Sequence, residues 1–215
     1  MTTFRWFDGS LGFYDFPYLP EYTITSWSAT QMAFRAPSGS EQIYAPYRIV
    51  FHVTGGETWY DPTQGRNLYT AGQITGISYY NDDDRLIAEV TGLAVDAAVA
   101  SSYLAFSQND TGNTNFWYMI HLAHADGALY VGSDATGRDS FPLYPGQPLF
   151  DLGDDITTSI GNDTVQAGGD SDYITDAGGQ DIYDGQAGAM DIVSYHSWRN
   201  FAATPQTGIT ADLAA

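Results

Sequence analysis

Apolar and polar residues alternate along much of the first ninety-odd positions of the chain. Ile49, Phe51 and Val53 alternate with Val50, His52 and Thr54, and a period of two is what a strand with one buried face requires. Runs of this kind predict strands over 3–7, 22–26, 31–35, 43–53, 73–79 and 85–91. The turn-forming run Asn81-Asp82-Asp83-Asp84 separates the last two and reads as a hairpin connection. Past it, Asp96 has the position of an N-cap for a short helix over 97–106, and 113–125 predicts a second helix. Residues 1–150 are therefore expected to form a mainly β, sandwich-like domain with one or two short helices.

Beyond residue 150 the pattern changes. Asp154, Asp163, Asp172 and Asp181 fall nine residues apart, and each is followed two positions later by a strand former: Ile156, Val165, Ile174 and Tyr183. Asp191 and Val193 repeat the pair after a ten-residue step, with one residue inserted around 187–190. A Gly/Asp turn followed by a short strand with one large apolar side chain can coil into a parallel β-helix. A solvated, unstructured linker has no reason to keep that period, or to hold Ile, Val and Tyr in phase with it.

Charge sharpens the picture. The 215-residue chain carries 26 acidic and 7 basic side chains, all seven of them Arg, for a formal charge of −19. Such a balance argues against nucleic acid or an anionic membrane surface as partner, since both are polyanions. Residues 151–191 hold ten Asp and no Arg, Lys or Glu. Carboxylates gathered in partly desolvated turns repel by about a kcal/mol or more per pair, and a hard cation relieves that. Ca²⁺ accepts a mixture of carboxylates and backbone carbonyls, whereas Mg²⁺ holds to a strict octahedron and keeps its waters. Gly161, Gly168, Gly169, Gly178, Gly179, Gly185 and Gly188 give the turns the backbone freedom to present such carbonyls.

The segment GNDTVQAGGDSDYITDAGGQDIYDG, residues 161–185, resembles the RTX, or haemolysin-type, calcium-binding nonapeptide repeat, with its pattern Gly-Gly-x-Gly-x-Asp-x-apolar-x. On that pattern Asp163, Asp172 and Asp181 take the ligand position, Gly161 and Gly179 take the fourth position, and Asp170 replaces the Gly expected there. Thr158-Ser159, Ala167-Gly168, Asp176-Ala177 and Gly185-Gln186 stand where a Gly pair is usual. The resemblance implies a short parallel β-roll over 151–193 that binds Ca²⁺, in which each loop shares its ion with the loop two repeats later. Asp154 would pair with Asp172, Asp163 with Asp181, and Asp172 with Asp191. The expected metal set is Asp154, Asp163, Asp170, Asp172, Asp181 and Asp191 with Gly161, Gly168 and Gly179.

Residues 57–97 also resemble a module that precedes RTX blocks in many secreted bacterial proteins: a Tyr-Asp turn, a Gly-x-Ile-Thr-x-Ile strand and a Thr-Gly-Leu segment. The tail, 191–215, is similar to the stretch that follows one RTX block and leads into another. The chain is thus expected to be the N-terminal piece of a longer polypeptide, with 194–215 a linker to a further segment or, through Tyr195, Trp198 and Phe201, a cap over the last strand edge. The first ten residues show no basic segment followed by an apolar core, and no apolar run is long enough to span a bilayer. RTX proteins typically leave by a type I system that reads an uncleaved C-terminal signal, so the resemblance implies a secreted, extracellular or cell-surface protein. Cysteine is absent, which removes disulfides and thiolate metal sites.

Catalytic constellations are sparse. There is no His-Glu-x-x-His and no Gly-x-Ser-x-Gly elbow. His121 and His124 stand three apart beside Phe116, Trp117, Met119 and Ile120, as on a packed helix; His52 and His196 complete the histidines. Glu21, Glu41, Glu57 and Glu89 are the only glutamates, and Asp61, Asp82 to Asp84, Asp126, Asp134 and Asp139 sit in turn contexts, which leaves no clear glycosidase pair. The expected function is calcium binding in a structural or adhesive surface component. Its partners are calcium ions and a glycan or another cell-surface component. A hydrolase or lyase, or a carbohydrate-binding module built on Trp6, Phe13, Tyr14, Phe16, Tyr18 and Tyr22, is the alternative. A minor one is a haem protein with Tyr60 as ligand, from a loose similarity of residues 53–60 to the Gly-Gly-x-x-x-Tyr stretch of secreted haemophores, although Arg66 and Asn67 stand where that family places a supporting His.

Overall fold

The structure is a computed structural model that describes residues 1–7, 19, 22–37, 46–63, 65–105, 115–117, 119–120, 122–123, 126–132, 140–141, 150–159, 161–169, 171–176, 178–188, 191–194 and 210–212. The protein is mainly β. In chain order its described elements are β1 (Thr2–Trp6), β2 (Thr23–Trp27), β3 (Gln31–Arg35), β4 (Arg48–Asp61), β5 (Arg66–Tyr80), β6 (Leu86–Asp96), α1 (Ala97–Ala105), β7 (Ala128–Val131), β8 (Ser140–Phe141), β9 (Phe150–Thr157), β10 (Thr164–Gln166), β11 (Ser171–Thr175), β12 (Ile182–Asp184), β13 (Ile192–Ser194) and β14 (Thr210–Asp212). The chain divides into two compact units: Met1–Asp15 with His124–Ala215, and Phe16–Ala123.

The Phe16–Ala123 unit is an antiparallel meander in which β2 to β6 pair in chain order. Ile49, Phe51 and Val53 are buried and His52 and Thr54 exposed, as the alternation requires, while Val50 is buried as well. Phe51 centres the core. Phe34 meets it edge-on at 5.7 Å, and Phe116 and Trp117, from the helical residues 115–117, meet it at 5.2 and 5.9 Å. The N-cap of α1 is Asp96, whose Oδ1 accepts from the Val99 amide at 2.9 Å. Ala97, Ala100, Ser101 and Leu104 are the buried face of α1, and the Ser101 hydroxyl accepts from the Tyr69 amide at 3.0 Å. Among the described residues this core lies on the β2–β6 sheet, with Phe116 and Trp117 against Phe51.

Strands β4 and β5 run further than the alternation indicates, to Asp61 and from Arg66. Register shifts between Thr54 and Glu57 interrupt the period of two, so the outer half of the hairpin loses its apolar signature. At that bend Gly72 adopts φ +111°, and a Cβ there would lie 2.8 Å from Gly56 Cα. The turn after β5 is the hairpin expected from Asn81 to Asp84: the Asn81 side-chain oxygen accepts from the amides of Asp83 and Arg85, and Asp84 adopts φ 58°. Arg35 and Arg48 both reach the Asp84 carboxylate, at 3.2 and 2.7 Å.

The other unit is built from parallel ladders. One runs β1, β7, β10, β12, β14, with neighbours paired in that order; the other runs β9, β11, β13, with β8 antiparallel to β9. Successive repeat strands alternate between the ladders, so pairing joins residues two repeats apart: Val165 with Tyr183, and Ile156 with Ile174. The inserted residue around 187–190 is absorbed by a one-residue longer step, which pairs Ile174 with Val193. One side-chain column is Phe4, Tyr130, Val165 and Tyr183, all 0–1% exposed; Ile156 and Ile174 form the core of the second ladder. The phase of large apolar residues seen in the sequence is thus the phase that fills the interior between short strands.

Candidate metal centre

Each phased Asp lies two positions before the apolar residue of its strand, so strand pairing sets the amide of one Asp against the carboxylate of the Asp two repeats later. The amide of Asp154 donates to Asp172 Oδ1 at 2.7 Å, that of Asp163 to Asp181 Oδ1 at 2.8 Å, and that of Asp172 to Asp191 Oδ1 at 3.1 Å. These are the three pairs that the RTX resemblance implies. Asp154, Asp163, Asp172 and Asp181 are all buried, none more than 3% exposed, and Asp191 is half-buried. Asp170 lies outside the described residues.

Turn geometry follows the glycines. Gly179 has φ +131°, and its Cα lies so close under the Gly161 carbonyl that a Cβ would overlap it and come 2.9 Å from Asp181 Oδ1. Gly161 is half-buried in the stacked turn above. Gly168, buried with φ +103°, accepts from the Ala187 amide at 3.0 Å in the turn that leads into β11.

Asp163 accepts through both carboxylate oxygens. Its Oδ1 accepts from the Ala128 amide at 2.6 Å, and its Oδ2 from the Ser159 amide at 2.8 Å and the Ser159 hydroxyl at 2.9 Å. Burial nevertheless pushes its carboxyl up to about 7, with the neighbouring Asp181 charge adding to the rise and the donors opposing it. Burial also raises Asp181, against the pull of the Asp163 amide and of the Tyr183 hydroxyl, which donates to Oδ2 at 2.8 Å. The Tyr183 hydroxyl is held far above its usual range by burial first and the Asp181 charge second.

Three polar contributors here were not singled out from the sequence as ligands or supports. Asp176 is 2% exposed, accepts from the Gly178 amide at 2.5 Å, and raises Asp181 through its charge. Ser159 feeds Asp163, and Tyr183 feeds Asp181. The available signal was positional: Asp176 stands two residues before Gly178, the spacing of an Asx turn, and eighteen after Thr158 in the same register.

The side chains gathered here are oxygen donors, buried carboxylates with no basic residue between 151 and 191. The described ion pairs, both to Asp84, belong to the other unit. This chemistry fits a hard divalent cation. Among the described residues no three His, Asp or Glu side chains converge on one point.

Other residues of interest are placed as follows. His52 Nε2 and Ser78 Oγ are 2.8 Å apart across neighbouring strands, with burial lowering the imidazole pKa and Glu89 raising it. Tyr60 is 56% exposed on the outer hairpin opposite Asn67, while Arg66 donates to the Leu104 carbonyl. Trp6 is buried against Tyr130, and Tyr22 is half-buried with its hydroxyl donating to the Pro46 carbonyl at 2.8 Å. Phe13, Tyr14, Phe16, Tyr18, His121, His124, Tyr195, His196, Trp198 and Phe201 lie outside the described residues. No helix among the described residues is long and apolar enough to cross a membrane. Searches against protein-family models, curated proteins and solved structures find no match to this chain.

Proposed function

We propose that this is a secreted calcium-binding protein whose residues 151–193 form a short parallel β-roll that folds on Ca²⁺, carried beside a β-rich domain, and that it serves as a structural or adhesive extracellular component. The observation that carries this reading is the pairing of Asp163 with Asp181 and of Asp154 with Asp172, each at an eighteen-residue separation, with all four carboxylates buried. Burying several carboxylates side by side without positive charge is unfavourable unless protons or cations are taken up. Near neutral pH a hard cation serves best.

Asp154, Asp163, Asp172 and Asp181, with Asp191 at the last step and the turn carbonyls around Gly161, Gly168 and Gly179, would hold the ions. Calcium supplies the charge that cancels the repulsion between stacked turns. Ligand that binds only the folded state adds RT ln(1 + [L]/Kd) to its stability, so a calcium-poor interior leaves the repeats open and a calcium-rich exterior closes them. The test is a Ca²⁺ titration of the metal-stripped full chain, followed by far-ultraviolet circular dichroism, with bound ions counted by equilibrium dialysis. A saturable gain of β signal with Ca²⁺ but not with Mg²⁺ is expected. No bound calcium and an unchanged spectrum would end this reading.

A further inference from the structure

The meander of β2 to β6 buries Ile49, Phe51 and Val53 on one face and sets polar side chains on the other. Residues directly opposite one another in antiparallel strands share a face. Val50, Ser78 and Glu89 therefore make one row, and His52, Gly76 and Thr91 the next. Diagonally across these rows, His52 Nε2 lies 2.8 Å from Ser78 Oγ. Gly76 leaves the room for it. A Cβ on Gly76 would stand 3.7 Å from His52 Cδ2 and only 2.7 Å from the Val90 carbonyl, so the imidazole lies down over β5 where a side chain is missing. A register shift falls between His52 and Val53, and such irregularities re-aim the side chains beside them.

The calcium reading makes no use of this pair. Ser78 is 7% exposed, and His52 beside it is open to solvent. Burial holds the imidazole pKa below its ordinary value against the opposing pull of the Glu89 charge, so at neutral pH the ring is uncharged and able to take a proton. With Nε2 as the acceptor, the ring proton sits on Nδ1. Glu89 is half-buried opposite Ser78, and its charge favours the imidazolium once that forms. A hydroxyl held by a neutral imidazole, with a carboxylate in the neighbouring strand, has the parts of an activated nucleophile.

We propose that Ser78 is an acyl-accepting nucleophile with His52 as its general base, an esterolytic activity carried by the Phe16–Ala123 unit apart from the repeats. Ser78 Oγ attacks the ester carbonyl carbon while His52 Nε2 takes the hydroxyl proton. The bond from that carbon to the leaving oxygen then breaks, and the imidazolium returns its proton to the departing alcohol. Water attacks the acyl group on Ser78, gives a proton to His52, and the proton passes back to Ser78 Oγ as the carboxylic acid leaves. Backbone amides of β4, β5 and β6 are taken up by strand pairing, so the oxyanion gains little from them. The substrate class that fits is therefore a small ester with a good leaving group, such as an aryl ester.

The full chain with p-nitrophenyl acetate tests this, with p-nitrophenol release followed by absorbance and the acetyl group located by peptide mass spectrometry. A stoichiometric burst is expected, with acetyl on Ser78 formed about tenfold or more faster than on Ser102, whose hydroxyl donates to the Val99 carbonyl. Ser78→Ala should abolish the burst although the imidazole remains. His52→Gln, which keeps a hydrogen-bonding partner for Ser78, should slow acylation about a hundredfold. The comparison of Ser78 with Ser102 is made within the wild-type chain and depends on no variant folding. Acetylation of Ser78 no faster than that of Ser102, or a burst that survives in Ser78→Ala, overturns the nucleophile and leaves the pair a cross-strand hydrogen bond.

Discussion

The amide of Asp163 donates to the carboxylate of Asp181 at 2.8 Å across eighteen residues of chain. A carboxylate in that position does two jobs on the calcium proposal: one oxygen accepts a backbone amide from the coil before it, which fixes how the turns stack, and the charge is what a bound cation would cancel. Removing the side chain therefore strands a buried donor, whereas removing only the charge leaves the acceptor in place.

Asp172 and Asp191 separate by this argument. Asp172 is fully buried, accepts from the Asp154 amide and donates its own amide to Asp191; Asp191 closes the series and is half-buried. Asp172→Ala should raise the calcium midpoint in a circular dichroism titration well above that of Asp191→Ala. An unsatisfied buried amide alone is worth about 1–3 kcal/mol. Asp172→Asn should keep most of the metal-free fold and still lose calcium. Equal midpoint shifts for the two alanine variants would show that the middle of the register has no special weight.

Gly179 and Gly55 make a second contrast. Both have positive φ, at +131° and +64°, but a Cβ on Gly179 meets the Gly161 carbonyl while one on Gly55 meets nothing within 4 Å. Gly55→Ala should cost about 1 kcal/mol, the ordinary penalty for Ala in the left-handed region. Gly179→Ala has to push apart two stacked turns and should cost several times more, visible in thermal unfolding of the repeat unit. It should also raise the calcium midpoint, which Gly55→Ala should leave where it is.

Much of this was legible in the sequence, for identifiable reasons. The period of two around Phe51 and the nine-residue phase of Ile156, Val165, Ile174 and Tyr183 are direct imprints of which side chains are buried, so β3 is located to the residue, whereas the Asp pairs two repeats apart came from the RTX resemblance and not from the period itself. The outer hairpin was missed because bulges near Gly55 and Gly56 break the alternation that marks a strand. The place of β1 was not legible either. Its partner β7 is more than 120 residues away, and a five-residue strand reads the same whether its neighbour is parallel or antiparallel. Asp176 looked like a missing glycine; only the stacked turns bring it beside Asp181.

Ser101 gives a check that calcium should not touch. Its hydroxyl accepts the buried Tyr69 amide at 3.0 Å and donates to the Ala98 carbonyl at 3.1 Å, fastening α1 to β5 within the Phe16–Ala123 unit. Ser101→Ala leaves that amide without its acceptor, which should destabilise the unit by about 1–3 kcal/mol in denaturant unfolding. The calcium midpoint of the repeats should not move.

The strongest pH dependence should belong to the metal-free protein. Burial holds the Asp163 carboxyl up to about 7 against 3.8 in the unfolded chain, and raises Asp181 as well. The folded state thus binds these protons more tightly than the unfolded one, and the slope of stability with pH is negative between the two values. The stabilisation is complete below pH 3.8 and is lost as pH rises through about 7. Metal-free repeats should accordingly melt at a higher temperature at about pH 5 than at about pH 8. Saturating calcium should flatten or reverse the trend, because cation binding requires the deprotonated carboxylate. Asp163→Asn, neutral at both pH values, should remove most of the metal-free slope. A metal-free melting temperature that climbs from pH 5 to pH 8 would mean that the paired carboxylates are already stabilised as anions, and that the drive to take up a cation is missing.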